Sequence, residues 1–424
     1  MKVAEIKNSR AFSIHNDRSL GIQSYGEGND FPQRVQKIVG ASGTGKSCQK
    51  VYADFVYGNG FNEEQAQKLV VNSAGQKLGE VLKSAANDYT MFNGFALHVN
   101  YNANFKIVEI RHVPFEHLRF EKVDSETGEF HRVAEHDDWG KEFEAVKKFR
   151  KQDIVFYNFY NPRPEVIERE VEEAGGWSFY TGQIFYYSGS GPFTYPVPIF
   201  EPVLTDMRSE EALGNVVNRN VANNLLSAGA IVDMNNTDQS EAGLAETQAS
   251  IAQFQGDMKT GNIMYMQVSK EEEVPKFISF RGQNYDKEFS VTQSYVPDSI
   301  GRAFNQPPIL RAQNVGANFG ADLMVNAYNY YNTKTTGERD TLSECFETIM
   351  VHWCEPIPAI GYSIRPLSFS AGKSLLARLG KESVDKIYEI VKDSELGAEV
   401  KRSMLRIGYD LSDEELDALI PRMI

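Results

Sequence analysis

Two adjacent prolines, Pro307 and Pro308, constrain this chain more than any other feature. Neither can donate to a helical ladder, so a helix that runs into them must stop. An amphipathic pattern does run into them, with Ile300, Ala303 and Phe304 on its apolar side. Beyond them, Arg311 to Gly320 holds Asn314, Gly316, Asn318 and Gly320, a composition that predicts a flexible loop. Helical spacing resumes at Leu323, Tyr328 and Tyr331, and again at Leu342, Cys345, Phe346 and Ile349. The segment reads as helix, proline stop, loop and long helix.

The chain has 424 residues, enough for two or three modules with real cores. Its net charge is −14, and its longest basic stretch is Lys147-Lys148 with Arg150-Lys151. That balance argues against a protein that grips DNA through a basic patch. Cys48, Cys345 and Cys354 form no CxxC pair, which fits a reduced, intracellular setting. No apolar run approaches the roughly 20 residues of a membrane helix, and the first ten residues lack a signal-peptide core. The expectation is assembly in a cytoplasm, with no membrane contact.

Along the chain the periodicities alternate, giving a mixed α+β fold. Residues 1–30 read as a polar arm ending in a turn at Gly26 and Gly28. Val35, Ile38 and Val39 follow helical spacing, as do Cys48, Val51, Tyr52, Phe55 and Val56 after a glycine-rich break at 40–45. Residues 64–90 read as helical. From Met91 to Phe159 short alternating runs predict strands, with a hairpin turn at Asp124 to Gly128. The prolines at 192, 196, 198 and 202 argue against long regular elements over 161–202. A helix is predicted from Asp206 to Ser227, with Leu213, Val216, Val217, Val221 and Leu225 as its apolar stripe. Residues 229–285 read as a small α+β insertion: strands at 230–232, 263–266 and 277–280, and a helix at 244–254. Pro297 kinks or starts the helix that follows. In the tail, Val384, Ile387, Tyr388 and Val391 mark one helix, and Ser412 with Glu415 caps a last one.

Gly40 to Ser47 satisfies the phosphate-binding pattern G-x-x-x-x-G-K-S. There the amides near Gly45 would cradle phosphates, Lys46 would reach the β/γ-phosphates and Ser47 would hold Mg²⁺. The pattern needs a buried strand before it. Phe31 to Val39 instead has helical spacing and carries Arg34, Gln36 and Lys37, which suit no central strand. The segment therefore reads as a kink between helices, with a P-loop NTPase of the DNA-packaging motor type as the alternative. His112 and His117, and His131 and His136, are five apart, a spacing that suits no shared metal, so they read as exposed sheet histidines. Glu170, Glu172 and Glu173 read as solvated surface. No nucleophile motif is present, so the expectation is a non-enzyme without cofactor or metal.

The pieces taken in order resemble the portal proteins of tailed bacteriophages. They are Asn29-Asp-Phe-Pro, Tyr57-Gly-Asn-Gly-Phe61, Gly189 to Pro198 before a long helix, Asn223 to Gly229, and Ile300 to Pro308. That resemblance implies a portal fold with an α/β wing (1–205 and 321–370), a two-helix stem (206–228 and 286–310), a small α+β clip (229–285) and a helical crown (371–424). It implies a homo-oligomeric ring of about twelve subunits at a capsid vertex of the virion, closed by head-to-tail contacts. Double-stranded DNA would pass non-specifically through its channel during packaging and ejection, which an acidic lining suits. The tunnel loop, 311–320, would meet it through Arg311, Gln313, Asn314, Val315, Gly316, Ala317, Asn318 and Phe319. The large terminase subunit and later a head–tail adaptor would dock on the clip near Glu271, Glu272, Glu273 and Lys276, and major capsid or scaffold protein would surround the ring. Pro297 in the stem and the shortness of the crown depart from the family pattern.

Overall fold

The structure is a computed structural model, and it describes residues 12–124, 126–140, 150–222, 229–233, 263–267, 285–311, 321–355, 361–369, 375–393, 396–409, 411, 416, 419 and 420. The described residues open with a short hairpin, β1 (Asn16–Asp17) and β2 (Ile22–Gln23). The expected polar arm is instead partly core. Ile22 and Tyr25 are buried, and Tyr25 stacks on Tyr195 with ring centroids 4.1 Å apart. Helices α1 (Phe31–Ala41) and α2 (Gly43–Tyr57) follow, broken at Ser42 alone.

The predicted helix over 64–90 is two helices, α3 (Glu64–Lys68) and α4 (Leu78–Phe92). Between them Asn72 to Gly75 forms a turn. Asn72 Oδ1 accepts from the Gln76 amide at 3.1 Å, and Gly75 takes φ +79°, which favours glycine. Helix α4 ends where Asn93 adopts the left-handed conformation and turns the chain straight into a strand.

That strand is β3 (Gly94–Tyr101), buried at seven of its eight positions. It belongs to a six-stranded sheet with β4 (Ile107–Val113), β5 (Leu118–Phe120), β6 (Arg132–Glu135), β7 (Val155–Phe159) and, after α5 (Pro164–Ala174), β8 (Gln183–Ser188). The order is β4-β3-β8-β7-β6-β5, with β7 and β8 parallel and the other neighbours antiparallel. The β5–β6 hairpin turns where expected. The 161–202 stretch is more regular than its prolines suggest, because Pro164 sits where a helix needs no amide donor and Gly175 (φ +89°) ends α5.

Helix α4 lies on β3, α2 lies on α4, and α1 and α2 carry α6 (Leu204–Ala222). Fully buried Phe95, Leu97, Val99, Ile107 and Ile110 meet Leu78, Leu82, Ala85 and Phe92 in this layer. Each large side chain buried there contributes on the order of 1.5–3 kcal/mol.

From α6 the chain leaves the sheet domain. Strands β9 (Gly229–Asp233) and β10 (Ile263–Gln267) pair in parallel over five registered positions. The expected helix at 244–254 and strand at 277–280 lie outside the described residues. The chain returns through α7 (Tyr285–Ala303), which contains Pro297 within its length rather than at its start. Helices α6 and α7 run side by side and antiparallel: Ser299 Oγ near the end of α7 donates to Asp206 Oδ2 near the start of α6 at 2.6 Å. The expected stripe of α6 is not buried within the subunit, since Leu213 is half-buried and Val217 is 40% exposed; the side chains at 216, 221 and 225 lie outside the described residues.

The long helix after the loop is also two, α8 (Ala321–Lys334) and α9 (Thr336–Met350). Buried Arg339 explains the break. It donates to the carbonyls of Phe55 (2.9 Å) and Asn332 (2.7 Å) and to Thr335 Oγ1 (2.7 Å), drawing the end of α8 into side-chain bonds. The tail holds α10 (Leu375–Lys392) and α11 (Ala398–Tyr409). Sequence periodicity missed α11, and Tyr388, one of the residues that mark α10 in the sequence, is exposed. The Ser412–Glu415 cap lies outside the described residues.

Candidate functional site

Two places could carry function: the glycine stretch at 40–47 and the junction around Pro307-Pro308. At the first, Ser42 caps α2, its Oγ accepting from the Gly45 amide at 2.8 Å. Thr44 donates through its amide (3.2 Å) and its hydroxyl (2.6 Å) to the carboxylate of Glu210 on α6, and Ser42 Oγ donates to the same carboxylate. A helix N-terminus attracts anions because its first amides have no helical partner and its dipole is positive there. Here the chain supplies the anion from its own α6.

Gly45 faces inward, and a Cβ on it would come within 2.9 Å of Met207 Sδ and 2.8 Å of Ser42 Oγ. The glycine is therefore explained by a helix crossing. Lys46 and Ser47 stand exposed on α2, and the element preceding the motif is a helix. The P-loop alternative has no support. Glu210 escaped the sequence reading because nothing in α6 marks it as facing residue 42.

At the second place, α7 ends with Asn305 at φ +53°, and the Gln306 amide returns to the Gly301 carbonyl at 3.1 Å. This is a Schellman closure, in which the left-handed residue lets the next amide satisfy a terminal carbonyl. Buried Gln306 then reaches across, Nε2 donating to the Cys48 carbonyl of α2 (2.5 Å), with the Tyr331 hydroxyl 3.2 Å away. Tyr331 in turn donates to the Phe304 carbonyl at 3.0 Å. Phe304 stacks on Phe200 with centroids 4.9 Å apart. The end of α7 is thus tied to α2 and α8 at once.

After the prolines, the short 3₁₀ turn Pro308–Arg311 sends Arg311 back over α7. Its guanidinium lies 3.5 Å from the Asp298 carboxylate and donates to the Pro297 carbonyl at 3.2 Å, with the side chain 7% exposed. Gly301 makes room for it, since a Cβ there would overlap the guanidinium. A lone glycine inside a helical pattern is a legible sign of such close approach. Gln313, Asn314, Val315, Gly316, Ala317, Asn318 and Phe319 lie outside the described residues, as do Glu271, Glu272, Glu273 and Lys276.

His112 is half-buried, not exposed, its Nε2 2.7 Å from Asp88 Oδ2. Burial, only partly offset by that imidazole, raises the Asp88 pKa above the usual carboxylate range. His136 is buried, whereas His131 is exposed as expected. Glu170 is not surface: it is buried and accepts from Gln183 Nε2 (2.8 Å) and the Tyr180 hydroxyl (3.1 Å), and burial raises its pKa. Burial also pushes the thiols of Cys48 and Cys345 up to about 11 and about 12, so neither is a nucleophile near neutrality. Among the described residues no group of acidic, histidine or cysteine side chains could hold a metal ion, and no helix is long and apolar enough to cross a membrane.

No family model and no curated protein matches the chain. Among solved structures it is similar to a chain in the neck of a native GTA particle computed with C12 symmetry, at 12% identity and TM-score 0.46, covering 89% of this chain and 93% of that one. It is similar to a chain in the virion of a native gene transfer agent at 11% identity and TM-score 0.46, covering 92% and 93%. It is also similar to an HK97-family phage portal protein from Corynebacterium diphtheriae at 9% identity and TM-score 0.36, covering 75% and 89%. None of these reaches a TM-score of 0.5, so what the chain does has to be read from its own residues and their order.

Proposed function

We propose that this chain is a portal-type subunit that assembles with copies of itself into a ring at a capsid vertex and acts as a conduit for double-stranded DNA. The observation that carries this reading is the excursion from the sheet domain. The chain leaves through α6, forms the β9–β10 pair, returns antiparallel through α7, stops at Pro307-Pro308, passes residues 312–320 and re-enters the core through α8 and α9. That is the order of stem, clip, stem and tunnel loop which the sequence resemblance implies.

In this reading, residues 1–205 and 321–370 are the wing, α6 and α7 the stem, 229–285 the clip and 371–424 the crown. Gln313 to Phe319 line the channel. Arg311 serves as the fixed root of that loop, because its guanidinium is engaged on α7. The half-exposed apolar positions of α6, Leu213 and Val217, pack on the neighbouring stem. The large terminase subunit and a head–tail adaptor dock at the clip near Glu271, Glu272, Glu273 and Lys276, and capsid or scaffold protein surrounds the wing. A net charge of −14 lets DNA slide without strong attraction.

Electron microscopy of the purified chain tests this. Rings of about twelve copies with a central hole wide enough for a duplex are expected, as head-to-tail contacts close into rings when the rotation allows. Hexameric rings that hydrolyse ATP, with activity lost in Lys46→Ala, would overturn it.

A further inference from the structure

The C-terminal helices have a small core of their own. Ile387 of α10 and Leu405 of α11 are buried against Leu411, Leu416 and Ile420, and Arg402 donates to the Ile420 carbonyl at 2.7 Å. That is little apolar burial to offset the chain entropy lost on ordering such a segment.

Each helix also carries apolar surface that the subunit leaves open. On α11, Val400, Met404 and Ile407 stand one turn apart along one face and are 51%, 45% and 87% exposed. With Glu399, Ser403 and Gly408 they form one open side of the helix. On α10, Tyr388 is 55% exposed, and half-buried Val384 and Val391 lie one turn to either side of it.

We infer that these two faces are one interface: in the ring, α11 of each copy packs on α10 of the next. The inference rests on the ring reading above and names the surface that would join neighbouring crowns. Two different apolar faces on one module suit a head-to-tail contact, whereas a two-fold pair needs only one self-complementary face. The area also points to a second copy within a larger assembly. Three aliphatic side chains against one tyrosine and its neighbours fall well short of the roughly 800 Å² per partner of a stable free pair. A contact of that size is useful when it repeats around a ring held together elsewhere. The flanking exposed charges are mixed on both faces: Glu399 and Arg406 on α11, and Asp385, Lys386, Glu389 and Lys392 on α10. A mixed border fits another helix and not an anionic polymer or lipid surface.

Cysteine trapping tests the contact in the full chain. Rings assembled from an equal mixture of Tyr388→Cys and Met404→Cys chains, mildly oxidised, should give covalent dimers on a denaturing gel. Rings of either variant alone, or of the unaltered chain with its own three cysteines, should give single chains. Adding Ile407→Asp to the Met404→Cys chain should cut the trapped fraction several-fold. Dimers from Met404→Cys alone would mean self-contact and overturn the inference. So would rings seen by microscopy that yield no trapped dimer from the mixture. If native mass spectrometry finds no ring under any condition, the ring reading itself fails and takes this contact with it.

Discussion

The sheet domain and the α10–α11 pair each bury an arginine, yet the first is closed and the second is open. In the sheet domain Arg119 is fully buried and donates to the carbonyls of Asn29 (2.7 Å), Leu118 (2.6 Å) and Glu116 (3.0 Å), between the rings of Tyr25 and Trp139. Arg339 does the same for the carbonyls that end α2 and α8. The aliphatic and aromatic residues around them are buried. In the helix pair Arg402 also finds a carbonyl, but Val400, Met404, Ile407 and Tyr388 keep about half or more of their surface exposed. Around Arg119 and Arg339 the polar groups and the apolar surface are satisfied together; around Arg402 only the polar groups are. The difference separates what a subunit needs to fold from what it offers to a neighbour.

The largest expected effect comes from breaking the closed side. Arg339→Ala leaves the buried Phe55 carbonyl without its donor and takes the guanidinium from the Asn332 carbonyl, which keeps the Thr336 hydroxyl at 2.9 Å, so a loss of about 1–3 kcal/mol is expected in chemical denaturation. A loss below about 1 kcal/mol would show that water replaces the guanidinium and that the domain is less closed than described. Next, Glu210→Gln weakens the carboxylate cap on α2 and should cost about 1 kcal/mol, since the amide cannot supply the charge that the helix end favours. If Glu210→Gln instead gained measurable nucleotide affinity, the 40–47 stretch would be a masked phosphate site.

A pH titration sharpens the same contrast. Buried His98 is 2.6 Å from the Thr181 carbonyl through Nε2, and its buried Nδ1 has no partner. Burial lowers its pKa below the ordinary 6.5. The unfolded chain therefore takes up the proton first. The stability that neutral His98 contributes is complete above about pH 6.5 and is lost as the pH falls through that value toward the folded pKa. His98→Gln should flatten the acid side of the stability curve; an unchanged curve would assign that slope to other groups. The smallest effect belongs to the open side. Ile407→Ser should change the stability of a dissociated subunit by less than about 0.5 kcal/mol, as exposed substitutions usually do. A larger loss would mean that α11 buries this residue within its own subunit.

Much of the fold was legible where one signal dominates. The prolines at 307 and 308 end α7, the alternation from Met91 to Phe159 is the sheet, and the helical spacing before Gly40 correctly spoke against a phosphate loop. What escaped were cases in which a distant residue decides. Nothing near Thr335 shows that Arg339 divides the helix, since the decisive acceptor, the Phe55 carbonyl, lies 284 residues away. The polar run at Glu170 looks solvated until β8 brings Gln183 against it. Helix α11 was missed because its two apolar faces, one buried and one exposed, blur the single stripe that periodicity seeks. At the candidate site, the room that Gly301 makes for Arg311 was not read from the sequence, and Glu210 and Gln306 act across the fold and left no local mark.

The antiparallel pairing of α6 and α7 has a consequence for how such chains diversify. Ser299 and Asp206 hold the two ends of the excursion together at the sheet domain. To that domain everything between the helices is a loop already closed at its base. Lengthening such a loop costs only about 0.6 kcal/mol for each doubling. The segment from Ala222 to Tyr285 can therefore be rewritten, enlarged or exchanged between relatives as a cassette, while the six-stranded sheet keeps its sequence and its register.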